Sequence, residues 1–172
     1  MAGEPVVLTE RLSIRRFCAD DAAFLVDLLN QPSFITNIGD RGVRTLDDAC
    51  FYIENGPQAM YEKYGFGLFR VALKATDTPI GICGILKRET LQDIDIGFAF
   101  LPAYWSKGYA LESATAVKAW AKATLGLTRL VAIVQPGNGP SIRLLEKLGL
   151  RYEGMVTHGE DAESLCLYGC EV

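Results

Sequence analysis

Apolar and polar residues alternate along the chain with two different periods, and the switches between them divide it into strands and helices. Leu12, Ile14 and Arg16 open with the period of two that marks a strand. Ala22–Leu29 then follows at helical spacing, with Asp20 and Asp21 where an N-cap stands, and this helix ends before Gln31 and Pro32. Residues 33–44, with Gly39, Asp40 and Gly42, read as a loop. Thr45, with Asp48 three residues on, forms a capping box for a second helix, which Gly56 and Pro57 must kink or divide. Runs at 66–73 and 80–86 read as strands, and Thr76, Asp77, Thr78 and Pro79 between them have hairpin-turn chemistry.

A third strand covers 94–101 and is cut off by Pro102. Ile94, Ile96, Phe98 and Phe100 share one face of it, and Asp95, Gly97, Ala99 and Leu101 share the other. That second face is mostly small. It either admits a narrow ligand arm beside the strand backbone or accommodates a packed helix. A helix over 108–125, a strand over 130–134, a helix over 140–148 closed by Gly149, and strands over 152–158 and 165–170 complete the order β-α-α-β-β-β-α-β-α-β-β. An antiparallel meander that feeds a strand–helix–strand crossover makes an α/β domain, of the α+β kind with a mixed sheet.

Composition narrows the function classes. A chain of 172 residues, 49% of them apolar, suits one domain over 1–172 with a full core. The net charge of −4, with no Lys/Arg run longer than Arg15-Arg16 or Lys87-Arg88, argues against a nucleic-acid partner and tolerates a cationic substrate. Glu4, Glu10 and Arg11 interrupt the N-terminal stretch, and no apolar run reaches membrane-spanning length, so a cytoplasmic protein with no membrane partner is expected. Cys18, Cys50, Cys83, Cys166 and Cys170 have neither disulfide nor zinc spacing, and they read as reduced and structural, with no metal. A Cys–His nucleophile pair is the sharper alternative, but the single histidine, His158, is also read as structural.

The chemistry concentrates at Trp105, Ser106, Lys107, Gly108, Tyr109 and Ala110, between the 94–101 strand and the long helix. The first N–H groups of a helix lack intrahelical partners and the helix dipole adds positive charge there, so this loop can cradle a phosphate or pyrophosphate. Gly108 permits close approach. Lys107 either adds charge or is a solvated surface side chain. The P-loop and dinucleotide-fold signatures are both absent.

In this segment the chain resembles the GNAT N-acetyltransferases, whose acetyl-CoA signature is Gln or Arg, two residues, Gly, one residue, then Gly or Ala. Trp105 departs from the first position, and the version with Tyr104-Trp105, Lys107, Gly108, Tyr109 and Ala110 is similar to the ribosomal-protein alanine/serine N-terminal acetyltransferase branch. Leu8-Thr9-Glu10-Arg11-Leu12, Pro79-Ile80-Gly81, Asp95-Ile96-Gly97-Phe98, and Asn138 with Ser141 leading to Glu146-Lys147-Leu148-Gly149 extend the likeness in order along nearly the whole chain. The resemblance implies a GNAT-like, mainly antiparallel sheet with a splayed central parallel strand pair, and acetyl-CoA as co-substrate. Its pantetheine arm would lie along Phe98, Ala99 and Phe100, and its pyrophosphate on the backbone of residues 106–110 and Trp105.

Asn138 either contacts CoA, as the resemblance implies, or caps a helix. Many relatives carry an acidic base at the place of Asp95, which otherwise reads as half of a structural ion pair; Glu160 is a second candidate. The tyrosine that many family members place seven residues after this Asn is Leu145 here, so proton donation falls to Ser141, which reads equally well as a capping residue, while Tyr109 and Tyr168 read as packing. The implied reaction is direct attack of a primary amine, at a protein N-terminus or on a small molecule, upon the CoA thioester within a ternary complex. The enzyme would be a monomer or homodimer. A catalytically silent acyl-CoA-binding module is the alternative that the missing tyrosine suggests.

Overall fold

The computed structural model describes residues 3–172; Met1 and Ala2, part of the N-terminal stretch and of the 1–172 domain read above, lie outside the described residues. Eight strands form one sheet in the order β1-β2-β3-β4-β5-β6-β8-β7: β1 (Pro5–Leu8), β2 (Leu12–Arg15), β3 (Leu68–Leu73), β4 (Pro79–Leu86), β5 (Asp95–Phe100), β6 (Arg129–Val134), β7 (Arg151–His158) and β8 (Glu163–Glu171). Neighbours are antiparallel except β5 and β6, which are parallel. This is the mixed, mainly antiparallel sheet expected from the sequence.

Helices α1 (Ala22–Leu29), α2 (Pro32–Asn37) and α3 (Leu46–Ile53) build one apolar cluster with Ile82, Leu68, Ala99 and Leu101 of the sheet region. A second, larger cluster joins Phe69, Ile85, Ile96 and Phe100 to Val117 and Ala121 of α5 (Tyr109–Leu125) and to Leu145 of α6 (Gly139–Lys147). The small face of β5 therefore packs against the α1–α3 layer. Ala99 and Leu101 thus meet the helix layer, while the space over Gly97 is bounded by Leu68 and Leu86 of the neighbouring strands.

Two elements depart from the expected order. Strand β1 adds an edge hairpin with β2 ahead of the first expected strand. Within the expected 33–44 loop, Pro32 starts α2 at its first turn, and buried Phe34 anchors it. Gly56 and Pro57 divide the second helix as expected, through a π-type turn, Glu54–Gln58, that separates α3 from α4 (Ala59–Tyr64). The Thr45–Asp48 capping box forms as expected.

Asp21 has a different role from the expected N-cap. It stands at the N-cap of α1 without a side-chain cap bond, because its carboxylate takes two hydrogen bonds from Arg15 (2.8 Å each) and one from the Cys18 amide (2.9 Å). Arg70 Nε lies 3.2 Å away in the same buried cluster. Burial pushes the Asp21 pKa up and the bonds to Arg15 and Cys18 pull it down; the net is below the ordinary carboxylate value.

Candidate active site

The two parallel strands meet at one point only. Asp95 pairs with Val131, whose N–H donates to the Ile94 carbonyl (3.0 Å), and no further β5–β6 pair forms among the described residues. Above that foot the strands part into a gap. The phase of the β4 ladder shows which groups line it. Leu101 N–H donates to the Ile80 carbonyl (2.9 Å), so in an antiparallel ladder Asp95, Gly97, Ala99 and Leu101 direct their backbone groups at β4, and Ile96, Phe98 and Phe100 direct theirs towards β6. Of the three β5 residues expected to line a pantetheine arm, Phe98 and Phe100 thus face the gap, and Ala99 has its backbone groups in the sheet. Trp105, at the position that departs from the Gln-or-Arg pattern, donates its indole N–H to the Phe100 carbonyl (2.8 Å) and closes the top of this edge.

Above the gap a short 3-10 turn, Pro102–Tyr104, leads into the cradle. Ser106 (φ 61°) and Gly108 (φ 83°) are both left-handed and flank Lys107, so successive amides turn inwards. The first helical bond of α5 runs from the Glu112 N–H to the Gly108 carbonyl (3.0 Å), and no side chain caps this terminus. The N–H groups of Tyr109, Ala110 and Leu111 therefore have no intrahelical acceptor. The Lys107 ammonium lies 5.8 Å from the Tyr104 ring centroid and points along the surface.

Residues distant in sequence frame the cradle, and the sequence signalled them only through the likeness of 8–12. Glu112 accepts hydrogen bonds from the Thr9 hydroxyl (2.6 Å), the Arg11 amide (3.0 Å) and Arg11 Nε (2.7 Å). Arg11 Nη1 donates to the Lys107 carbonyl (3.0 Å), and the guanidinium carbon sits 4.4 Å from the Tyr109 ring centroid. The N-terminal hairpin is thereby tied to the loop that forms the cradle.

On the other arm, Asn138 Oδ1 accepts a long bond (3.4 Å) from the Ser141 amide at the start of α6. This is the capping geometry the sequence allowed for. The Ser141 hydroxyl makes no hydrogen bond among the described residues. Leu145 is fully buried, as its apolar helix face implies, and Tyr168 is buried, with desolvation raising its pKa.

Asp95 stands at the foot of the gap and is 1% exposed. Arg88 Nε donates to both its oxygens (3.1 and 3.2 Å). Burial pushes the carboxyl pKa up, Arg88 opposes this, and the net direction is upwards. Arg88 Nη1 lies 3.4 Å from His158 Nε2, and His158 Nδ1 is 2.9 Å from the Thr90 hydroxyl. Desolvation and the charges of Arg88 and Arg41 lower the His158 pKa, so this histidine is part of an ion-paired cluster at the foot. Glu160 is exposed in the turn between β7 and β8, and Asp40 pairs with Arg44 (2.6 Å) in the loop before α3. All five cysteines are unpaired, and burial raises the Cys83 thiol to about 12, which leaves it without thiolate character. No group of three or more His, Cys, Asp or Glu suited to a metal occurs among the described residues.

The profile described as "Acetyltransferase (GNAT) domain" matches residues 11–151. The chain belongs to the GNAT acetyltransferase family. It is 32% identical over 148 residues to the uncharacterized N-acetyltransferase YnaD of Bacillus subtilis, covering 86% of this chain and 84% of that protein. An acetyltransferase from Agrobacterium tumefaciens superimposes with a TM-score of 0.80 at 27% identity, over 95% of this chain and 92% of the other. The ribosomal L7/L12 α-N-protein acetyltransferase RimL, solved with coenzyme A, shares the fold at a TM-score of 0.84 and 13% identity, with 98% of each chain covered. Membership of this family makes the chain an acetyltransferase that draws on acetyl-CoA. Acetyl-CoA carries a diphosphate and, one pantetheine length away, a thioester.

Proposed function

We propose that this protein is an N-acetyltransferase that binds acetyl-CoA along the β5–β6 gap and transfers the acetyl group directly to a primary amine. The observation that carries the proposal is the pairing of an open strand edge at Phe98 with the left-handed, uncapped loop at 106–110. The loop suits the diphosphate, through its amides, and the edge suits the amides of the pantetheine arm by strand-like pairing. Phe98, Phe100 and Trp105 line this path, with Ala99 contributing surface only, and Ser106, Lys107, Gly108, Tyr109 and Ala110 form the phosphate end. Asn138 borders the gap from the opposite arm.

In the reaction the neutral amine nitrogen forms a bond to the thioester carbonyl carbon. The C–S bond breaks, the nitrogen loses a proton, and the CoA sulfur gains one. An α-amine, with a pKa of about 8, is partly neutral near pH 7, whereas a lysine at about 10.4 is not, so a protein N-terminus needs the least help from a base. Asp95 is assigned the base role because burial raises its proton affinity; Glu160 is the exposed second candidate. Ser141, whose hydroxyl has no other partner, is assigned proton delivery to the sulfur. The protein acts as one domain over 1–172, as a monomer or homodimer, without a nucleic-acid or membrane partner, and its five unpaired cysteines suit the reducing cytoplasm.

Incubation with acetyl-CoA and a panel of N-terminal peptides and small amines, followed by free-thiol detection, tests this reading. Amine-dependent thiol release is expected. CoA binding with no thiol release across the panel would establish the silent binding module instead.

A further inference from the structure

The Arg11 guanidinium has three nitrogens, and the fold has settled two of them. Nε is held by Glu112 (2.7 Å) and Nη1 by the Lys107 carbonyl (3.0 Å), while the ring of Tyr109 supports the plane from below at 4.4 Å. Glu112 in turn is fixed by the Thr9 hydroxyl and the Arg11 amide. Nη2 has no hydrogen-bond partner among the described residues, and it lies 3.3 Å from where a Cβ on Gly108 would stand. A surface arginine ordinarily loses side-chain entropy for little return in such a geometry. Here three groups of the 107–112 segment hold one cationic fork across a loop whose amides have no intrahelical acceptor.

We propose that Arg11 is a donor-binding and positioning residue that presents Nη2 to the diphosphate of acetyl-CoA and, through the Lys107 carbonyl, fixes the left-handed loop in its binding form. This rests on the acetyl-CoA reading of the cradle. Glu112 orients the fork and keeps it charged, and it prevents the guanidinium from swinging into solvent when the site is empty. Loss of the charge should weaken binding of the diphosphate and leave the acetyl end of the site intact.

The test is calorimetric titration of the wild type, R11A, R11K and E112Q with CoA, 3′-dephospho-CoA and pantetheine, alongside steady-state kinetics and melting temperatures. R11A is expected to weaken CoA and 3′-dephospho-CoA equally, by about 10-fold, as befits one charge-assisted hydrogen bond. R11K should recover part of that loss, because an ammonium supplies charge but cannot hold Glu112 and Lys107 together. E112Q should fall between R11K and wild type. Pantetheine affinity and kcat at saturating acetyl-CoA should stay within about twofold of wild type, a split that general damage to the fold would not produce. Wild-type CoA affinity in both Arg11 variants would overturn the proposal and leave the acetyl-CoA reading standing, as would a loss confined to CoA and absent with 3′-dephospho-CoA. Failure of the wild type to bind CoA would overturn both.

Discussion

The two parallel strands at the centre of the sheet each run into a helix, and the two junctions treat their backbone amides in opposite ways. After β6, Asn138 reaches over the first turn of α6 and Pro140 removes an N–H, so the terminus is closed by its own residues. After β5, a left-handed glycine stands at the N-cap of α5, no side chain covers the first turn, and Ser106 adopts a left-handed conformation that non-glycine residues avoid. A closed terminus needs no ligand. The open one leaves unmet hydrogen-bonding capacity beside a strand edge that is also unpaired, and the proposed diphosphate site draws on that capacity.

Substitution at the open junction should have the largest effect. Gly108→Val forces a β-branched side chain into left-handed backbone and towards Arg11, and is expected to weaken CoA binding by about 100-fold, or about 2.7 kcal/mol, in a calorimetric titration. The joint where the two arms meet comes next. Arg88→Ala leaves the Asp95 carboxylate buried without its partner and should destabilise the protein by about 2 kcal/mol at pH 8 in urea unfolding, a figure reduced from the fully buried case because Arg88 is 27% exposed. The sign of the pH dependence follows from the raised Asp95 pKa. The folded state holds that proton more tightly than the unfolded chain, so the penalty is present above the folded pKa and fades as the pH falls through it. A penalty that stays constant as the pH falls through and below the carboxylate range would break this picture of the joint.

Smaller effects separate chemistry from binding on the closed arm and at the joint. Ser141→Ala and Asp95→Asn are each expected to lower kcat by about 10-fold with the KM for acetyl-CoA within twofold; unchanged turnover would remove them from the reaction. Asp95→Asn should also abolish an acidic limb of the kcat profile that lies above the ordinary carboxylate range. Asn138→Ala should cost about 0.5 kcal/mol of stability, the low end for a cap with so long a bond, and weaken CoA by less than about threefold. A larger loss of CoA affinity would mean that the two arms share the donor more evenly than the amide geometry implies.

The strand–loop–helix order around the cradle was legible in the sequence because each piece carries a local signal: alternation in β5, Pro102 after it, Gly108 before an amphipathic run. The Thr45–Asp48 box was legible for the same reason. Short-range signals failed where tertiary contacts decide. Asp21 has N-cap spacing, but Arg15 and Arg70 claim its carboxylate, and α2 forms in a loop-like stretch because Phe34 finds a place in the core. The place where β5 and β6 part has no residue signature at all; it is the end of a ladder. The role of Arg11 was equally hidden, since its partner Glu112 lies 101 residues away and only the fold brings them to one loop.

The most direct test of the open junction is an amide-resolved NMR titration of the labelled protein with CoA. The largest shifts are expected on the N–H groups of residues 106–110 and of Phe98, with those at the start of α6 small. Saturable CoA binding that leaves the 106–110 amides unmoved, or moves the α6 terminus most, would contradict it.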